Sequence, residues 1–281
     1  MPMALCATSA WWSSFVRAET PIRVVCIGGA LTEIMYELGL EKYLVGVDTS
    51  SNFPSMANLL PNVGYARTLS AEGILSMRPT HVVCSANAGP QHVVTILKRN
   101  KKIHFSQFDS HHRFEGLLQT IKELAYLFDV SKKGDWLTER LLDEWAPLSA
   151  GHGMASGGGK ASGVAPKVIF ILSHRGSEIV VGGKATEADA MIEYAGGMNV
   201  ASSLKGYKSF SKEIVIQTNP DIILMTQQSE KYVMAVLKTH YFSSVSAIRN
   251  QRFIAIEANQ LLGFGPRLPM TVAQLRKAFF V

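Results

Sequence analysis

Charge is scarce in this chain. Charged residues make up 18% of its 281 positions, against 47% hydrophobic, and the net charge is only +6. No Lys/Arg tract forms a nucleic-acid arm, because the basic residues are scattered along the chain. No apolar run beyond the N-terminus reaches the length needed to span a bilayer. There are three cysteines and no C-x-x-C pair, so no cysteine metal spacing of that kind is present. Cys6 falls in the N-terminal segment. Cys26 and Cys84 sit inside apolar runs, where a free thiol behaves as a small hydrophobe, although the sequence leaves a Cys26–Cys84 disulfide open. A G-x-G-x-x-G fingerprint, a Walker Lys-Ser/Thr and a G-x-S-x-G elbow are all missing.

What remains is a globular chain long enough for one large or two medium domains. Residues 1–20 stand apart. Met3 to Val16 is apolar and rich in small residues, and Val16-Arg17-Ala18 offers a signal-peptidase site. A basic leader is missing, so the segment reads as the remainder of an export signal or as a misplaced start.

Strand-like and helix-like patterns then alternate. Arg23 to Ile27 is a buried strand ending in Gly28-Gly29, and Leu31 to Gly39 has helix periodicity with a Gly stop. Leu44–Val47, His81–Cys84 and Ile103–Phe105 are further strands. A helical stretch from about Phe114 to Trp145 follows, with a break near Asp129 to Ser131 and an end at Pro147. The Gly/Ser-rich stretch 151–165 is a linker. The alternation restarts at 166, with strands over Lys167–Leu172, Asp221–Met225 and Arg252–Glu257 and a helix over Thr186–Ala195. This pattern predicts an α/β chain with a lobe over 21–113, a connector over 114–150 and a second lobe over 166–281.

The two halves echo each other. Ser70, Glu72 and Pro79 precede the strand at His81, and Ser211, Glu213 and Pro220 precede the strand at Ile222, at matched spacing. Serine caps a helix, glutamate in its first turn suits the dipole, and proline ends it. The joint recurrence favours two related lobes.

The loop Asn62-Val63-Gly64-Tyr65-Ala66-Arg67 places a phenol and a guanidinium two residues apart. A phenolate can ligate ferric iron, and a neighbouring cation favours the ionised phenol. Taken alone, the spacing is equally that of an ordinary solvated loop. The histidines carry no ligand spacing: His111 and His112 are adjacent and do not share a helix face.

With Ile27-Gly28-Gly29, Thr32-Glu33-Ile34, Asn62 to Gly73, Ala188 to Ile192 with Ala195-Gly196-Gly197, and Leu261 to Arg267, the chain resembles the class III periplasmic substrate-binding proteins of ABC importers, in their haem-binding branch. The resemblance implies two Rossmann-like lobes with central, mostly parallel sheets, joined by one long α-helix, with a ligand cleft between them. It implies a monomeric periplasmic carrier of haem (Fe-protoporphyrin IX), not an enzyme, serving an inner-membrane ABC permease and its ATPase, with no nucleic-acid partner. Tyr65 would be the axial iron ligand and Arg67 its support or a propionate contact. His174 or Arg175 would face the haem from the second lobe, and which of the two does so stays open. Glu72 and Glu213 would dock arginines of the permease. Phe53, Met56 and Phe264 are wall candidates; Lys205, Tyr207 and Lys208 are propionate candidates. Two alternatives remain: cobalamin or a ferric siderophore on the same fold, or a nucleotide enzyme using Gly28-Gly29 as a phosphate loop.

Overall fold

The computed structural model describes residues 21–150, 164–175 and 178–281. The signal-like segment 1–20 and almost all of the linker 151–165 lie outside them. The first lobe contains β1 (Val24–Ile27), α1 (Gly29–Glu37), β2 (Leu44–Val47), α2 (Ala71–Ser76), β3 (His81–Ser85), α3 (Gln91–Arg99) and β4 (His104–Phe108). Its sheet has the order β2-β1-β3-β4 and is parallel throughout. Both faces are covered, so β1 reads as an unbroken apolar run. Val24 and Cys26 enter one core, while Val25 and Ile27 enter another on the opposite face.

That alternation decides the cysteine question. Cys26 belongs to the first core and Cys84 to the second, so neighbouring strands point the two thiols to opposite faces of the sheet. Both are free and buried, and the disulfide left open by the sequence is ruled out by geometry.

The connector is two helices, α4 (Phe114–Leu127) and α5 (Ser131–Ala150). The chain reverses at Asp129, which takes a left-handed φ of 55°. The helices pack closely at Gly134, where a Cβ would come within 2.5 Å of the Ala125 Cβ. Pro147 was expected to end the helix and instead lies within it. Its missing N–H leaves only the carbonyl one turn back, at the exposed Asp143, without a helix donor, and water can serve there.

The second lobe contains β5 (Lys167–Arg175), β6 (Glu178–Gly182), α6 (Glu187–Tyr194), β7 (Met198–Asn199), β8 (Tyr207–Phe210), α7 (Lys212–Thr218), β9 (Ile222–Thr226), α8 (Gln227–Leu237), α9 (Ser246–Arg249), β10 (Phe253–Ile256), α10 (Ala258–Leu262) and α11 (Leu268–Phe279). The order is β10-β9-β5-β6-β8, with β7 beside β5. β10, β9 and β7 run parallel within this array, whereas β6 and β8 are antiparallel to their neighbours. The sheet is therefore mixed along one edge.

A single apolar core runs from the first sheet through α4 and α5 to α11 and the second sheet. At the junction Phe114 stacks on Trp145 at 4.3 Å, and Trp145 meets Tyr194 edge-on at 4.9 Å. The Tyr194 hydroxyl accepts from the Phe114 N–H at 3.1 Å. Both lobes are thus seated on one aromatic cluster.

Candidate ligand cleft

The loop after β2 is held on both sides. Val63 N–H donates to Val47 O, and Thr49 N–H donates to Gly64 O, so the loop runs beside the end of β2. Gly64 takes φ 97°, and its N–H is held by the Asn62 side chain at 2.7 Å. Downstream, Thr68 N–H bonds Tyr65 O, and Leu69 N–H bonds Gly89 O. Tyr65 and Arg67 stand on this clamped turn. Tyr65 is 49% exposed, and among the described residues its hydroxyl has no hydrogen-bond partner.

Both residues line an interlobe cleft of about 590 Å³. The first lobe adds Thr49, Ser50 and Asn52; the second lobe adds Leu172, Glu187, Tyr207 and the 257–263 segment. A recess of about 170 Å³ continues from it, sharing Ser50, Glu187 and Asn259 and reaching His112. A shallower depression of about 640 Å³ lies outside β4, beside Tyr126 and Glu123. It lies between β4 and the connector helix α4 and has no phenol–guanidinium pair, so the chemistry favours the interlobe cleft.

The wall opposite Tyr65 is built differently. Tyr207 donates its hydroxyl to Glu187 Oε2 at 2.9 Å. Burial pushes the Tyr207 phenol far above its ordinary range, and Glu187 adds to this, while Arg67 pulls the other way. Tyr207 therefore stays a neutral phenol, whereas Tyr65 offers an unpartnered oxygen. His112 Nδ1 lies 3.9 Å from Glu187 Oε1, a separation too long for a direct hydrogen bond.

The cleft residues Asn259 and Glu257 are tied to a charged cluster. Glu33 of α1, buried at 3% exposure, receives the Arg267 guanidinium and the Asn259 amide. Glu257 caps α10 through the N–H groups of Asn259 and Gln260 and accepts from Asn52 of the first lobe. Asn259 and Glu257 both line the cleft.

The other sequence candidates fall as follows. Lys208 is exposed and does not line the cleft; on β8 it faces away from Tyr207, because successive strand side chains alternate. Lys205 is exposed elsewhere. Phe264 is buried at the recess, and Phe53 sits under the Arg267 guanidinium at 4.0 Å. Met56 is exposed and is not a wall of the cleft. His174 and Arg175 end β5, opposite Ile179 and Glu178, a few residues beyond the cleft residue Leu172; their side chains lie outside the described residues. Glu72 and Glu213 are both exposed in the first turns of α2 and α7, after the N-caps Ser70 and Ser211.

Glu187, Asn52 and the Glu33–Arg267–Asn259 cluster were not assigned roles from sequence. Thr186 before an acidic first turn was a readable capping signal for Glu187. The cluster joins residues over 200 positions apart, and no local pattern announces it.

The phosphate-loop alternative fails on geometry. The Gly28 N–H is bound by Asp48 Oδ1 at 2.9 Å, and the Gly29 N–H by Ser50 Oγ at 3.0 Å. A carboxylate already stands where a phosphate would need to sit. Among the described residues, no cluster of three or more His, Cys, Asp or Glu could hold a bare metal ion.

Two α/β lobes around a central cleft, on one connector, define a bilobal binding protein. Residues 24–259 match the periplasmic binding protein family, and the chain belongs to it. It is similar to a solved periplasmic heme-binding protein, BhuT, in complex with two hemes, at 37% identity and TM-score 0.82, covering 92% of this chain and 97% of that one. It is also similar to the periplasmic heme-binding protein RhuT from Roseiflexus sp. RS-1, at 31% identity and TM-score 0.83, covering 93% and 98%. A vitamin B12-binding protein of Vibrio parahaemolyticus is 24% identical over 222 residues, 78% of this chain and 76% of that protein.

Proposed function

We propose that this protein captures haem in the interlobe cleft and delivers it to an inner-membrane ABC permease with its ATPase. The observation that carries the reading is the unpartnered Tyr65 hydroxyl in the cleft, with Arg67 two residues on. A phenolate is a hard oxygen donor suited to ferric iron. The cleft volume of about 590 Å³ and its mixed apolar and polar lining suit a flat apolar cargo bearing carboxylates. His174 or Arg175 approaches the cargo from the second lobe.

The haem-binding relatives support this cargo over cobalamin. The protein works in the periplasm as a monomer, catalyses no reaction and has no nucleic-acid partner. Glu72 and Glu213, one on each lobe, dock arginines of the permease. Titration with hemin tests the cargo. A Soret band should appear with the wild type and be lost in Tyr65→Ala. A colourless protein in excess hemin, or preferential uptake of cobalamin, would overturn the reading.

A further inference from the structure

The two proposed docking carboxylates are not equivalent. Among the described residues the Glu72 carboxylate has no hydrogen-bond partner. Glu213 accepts the hydroxyl of Tyr241 at Oε1, at 2.6 Å across 28 positions of sequence. Tyr241 belongs to a short turn at 240–242, and its ring sets edge-on against Phe242, 5.6 Å away, which is fully buried in the second-lobe core. Lys212 Nζ stands 5.7 Å from the same ring. The Glu213 side chain nevertheless remains exposed.

We infer that Tyr241 is a positioning residue that holds the Glu213 carboxylate preformed for a guanidinium of the permease, so that the second lobe offers a rigid docking point and the first an adaptable one. This rests on the docking reading above. A glutamate that swings freely loses rotamer freedom when it pairs, and that cost is a main reason exposed ion pairs contribute little. A tyrosine has two side-chain torsions, and this one is braced on a buried ring. Its short O–H···O⁻ bond fixes the plane of the carboxylate, which favours a planar fork over a point charge. The hydrogen bond, with help from the Glu213 N–H and Ser211, also holds the carboxyl down at about 2, below the usual carboxylate range.

The test measures docking of the full-length protein to the permease–ATPase complex in lipid nanodiscs, without reliance on cargo. Tyr241→Phe should weaken docking about fivefold, the scale of one lost hydrogen bond, with the melting temperature unchanged. Carbon-13 titration of Glu213 in that variant should move up toward the ordinary carboxylate range. Docking by Tyr241→Phe at wild-type affinity, while Glu213→Ala is impaired, would overturn the inference alone. Wild-type docking by Glu213→Ala would overturn the docking reading itself.

Discussion

Glu33 and Arg267 stand 234 positions apart and meet as a two-pronged ion pair, with Nε to Oε2 at 3.0 Å and Nη2 to Oε1 at 2.5 Å. Burial raises the Glu33 pKa, and the guanidinium opposes the shift. Charging this carboxylate carries a desolvation cost that its partner only partly offsets. Arg267→Ala should destabilise the fold by about 3 kcal/mol at neutral pH, because it strands a buried charge. Glu33→Gln should cost less, since Arg267 keeps Glu257 at 3.6 Å. The sign with pH follows. A raised folded-state pKa means the native protein takes up this proton before the unfolded chain does, so acidification relieves the stranded carboxylate. The Arg267→Ala deficit should shrink as pH falls toward the ordinary glutamate value of about 4.3. Urea unfolding of wild type and variant at pH 7 and pH 5 measures it.

The facing tyrosines should separate spectroscopically. Tyr65→Phe should abolish the phenolate-to-iron charge-transfer signature of the hemin complex. Tyr207→Phe should keep it, with affinity altered by less than about tenfold, the range of one or two hydrogen bonds. Absorption titrations of both variants compare them. Loss of the signature in Tyr207→Phe alone would exchange their roles.

Arg67→Ala should weaken hemin binding yet leave a shifted Soret band, because the guanidinium supports the ligand rather than replacing it. Equal hemin affinities of variant and wild type would remove Arg67 from the site.

Cys26 and Cys84 should resist alkylation in the native protein and react on unfolding. Burial pushes both thiols up to about 12, so almost no thiolate exists to react. Mass mapping after iodoacetamide, with and without denaturant, reads each site. A disulfide-linked peptide between them would contradict their placement on opposite faces of the sheet.

Gly134→Val should lower the melting temperature through overpacking of the α4–α5 pair, at a cost of about 1–3 kcal/mol. The contact responsible is the Ala125 methyl, which a Cβ would approach to 2.5 Å. A differential scanning melt of the variant checks this.

The parallel core of each lobe was readable because β1, β3 and β9 are short apolar runs buried on both faces. The caps before Glu72 and Glu213 were readable because serine and glutamate spacing is local. β6 and β8 were not. Tyr207-Lys208-Ser209-Phe210 carries too little apolar character to signal an edge strand, and β5 ends in the polar Ser173-His174-Arg175. Tyr65 and Arg67 stood out through resemblance, but their opposition to Tyr207 and Glu187 needed the folded chain. The Glu33–Arg267 pair lay within two segments singled out from sequence, yet only tertiary contact reveals that they touch.

The aromatic cluster of Phe114, Trp145 and Tyr194, together with the unbroken apolar core, gives the molecule a spine where many two-part proteins have a hinge. A flat cargo would then enter through the open rim, like a coin into a slot, without a wide swing of the lobes. A membrane partner that reads both lobes at once would sense only a slight change in the spacing of its two contact points, and unloading would mean prying apart a nearly rigid body.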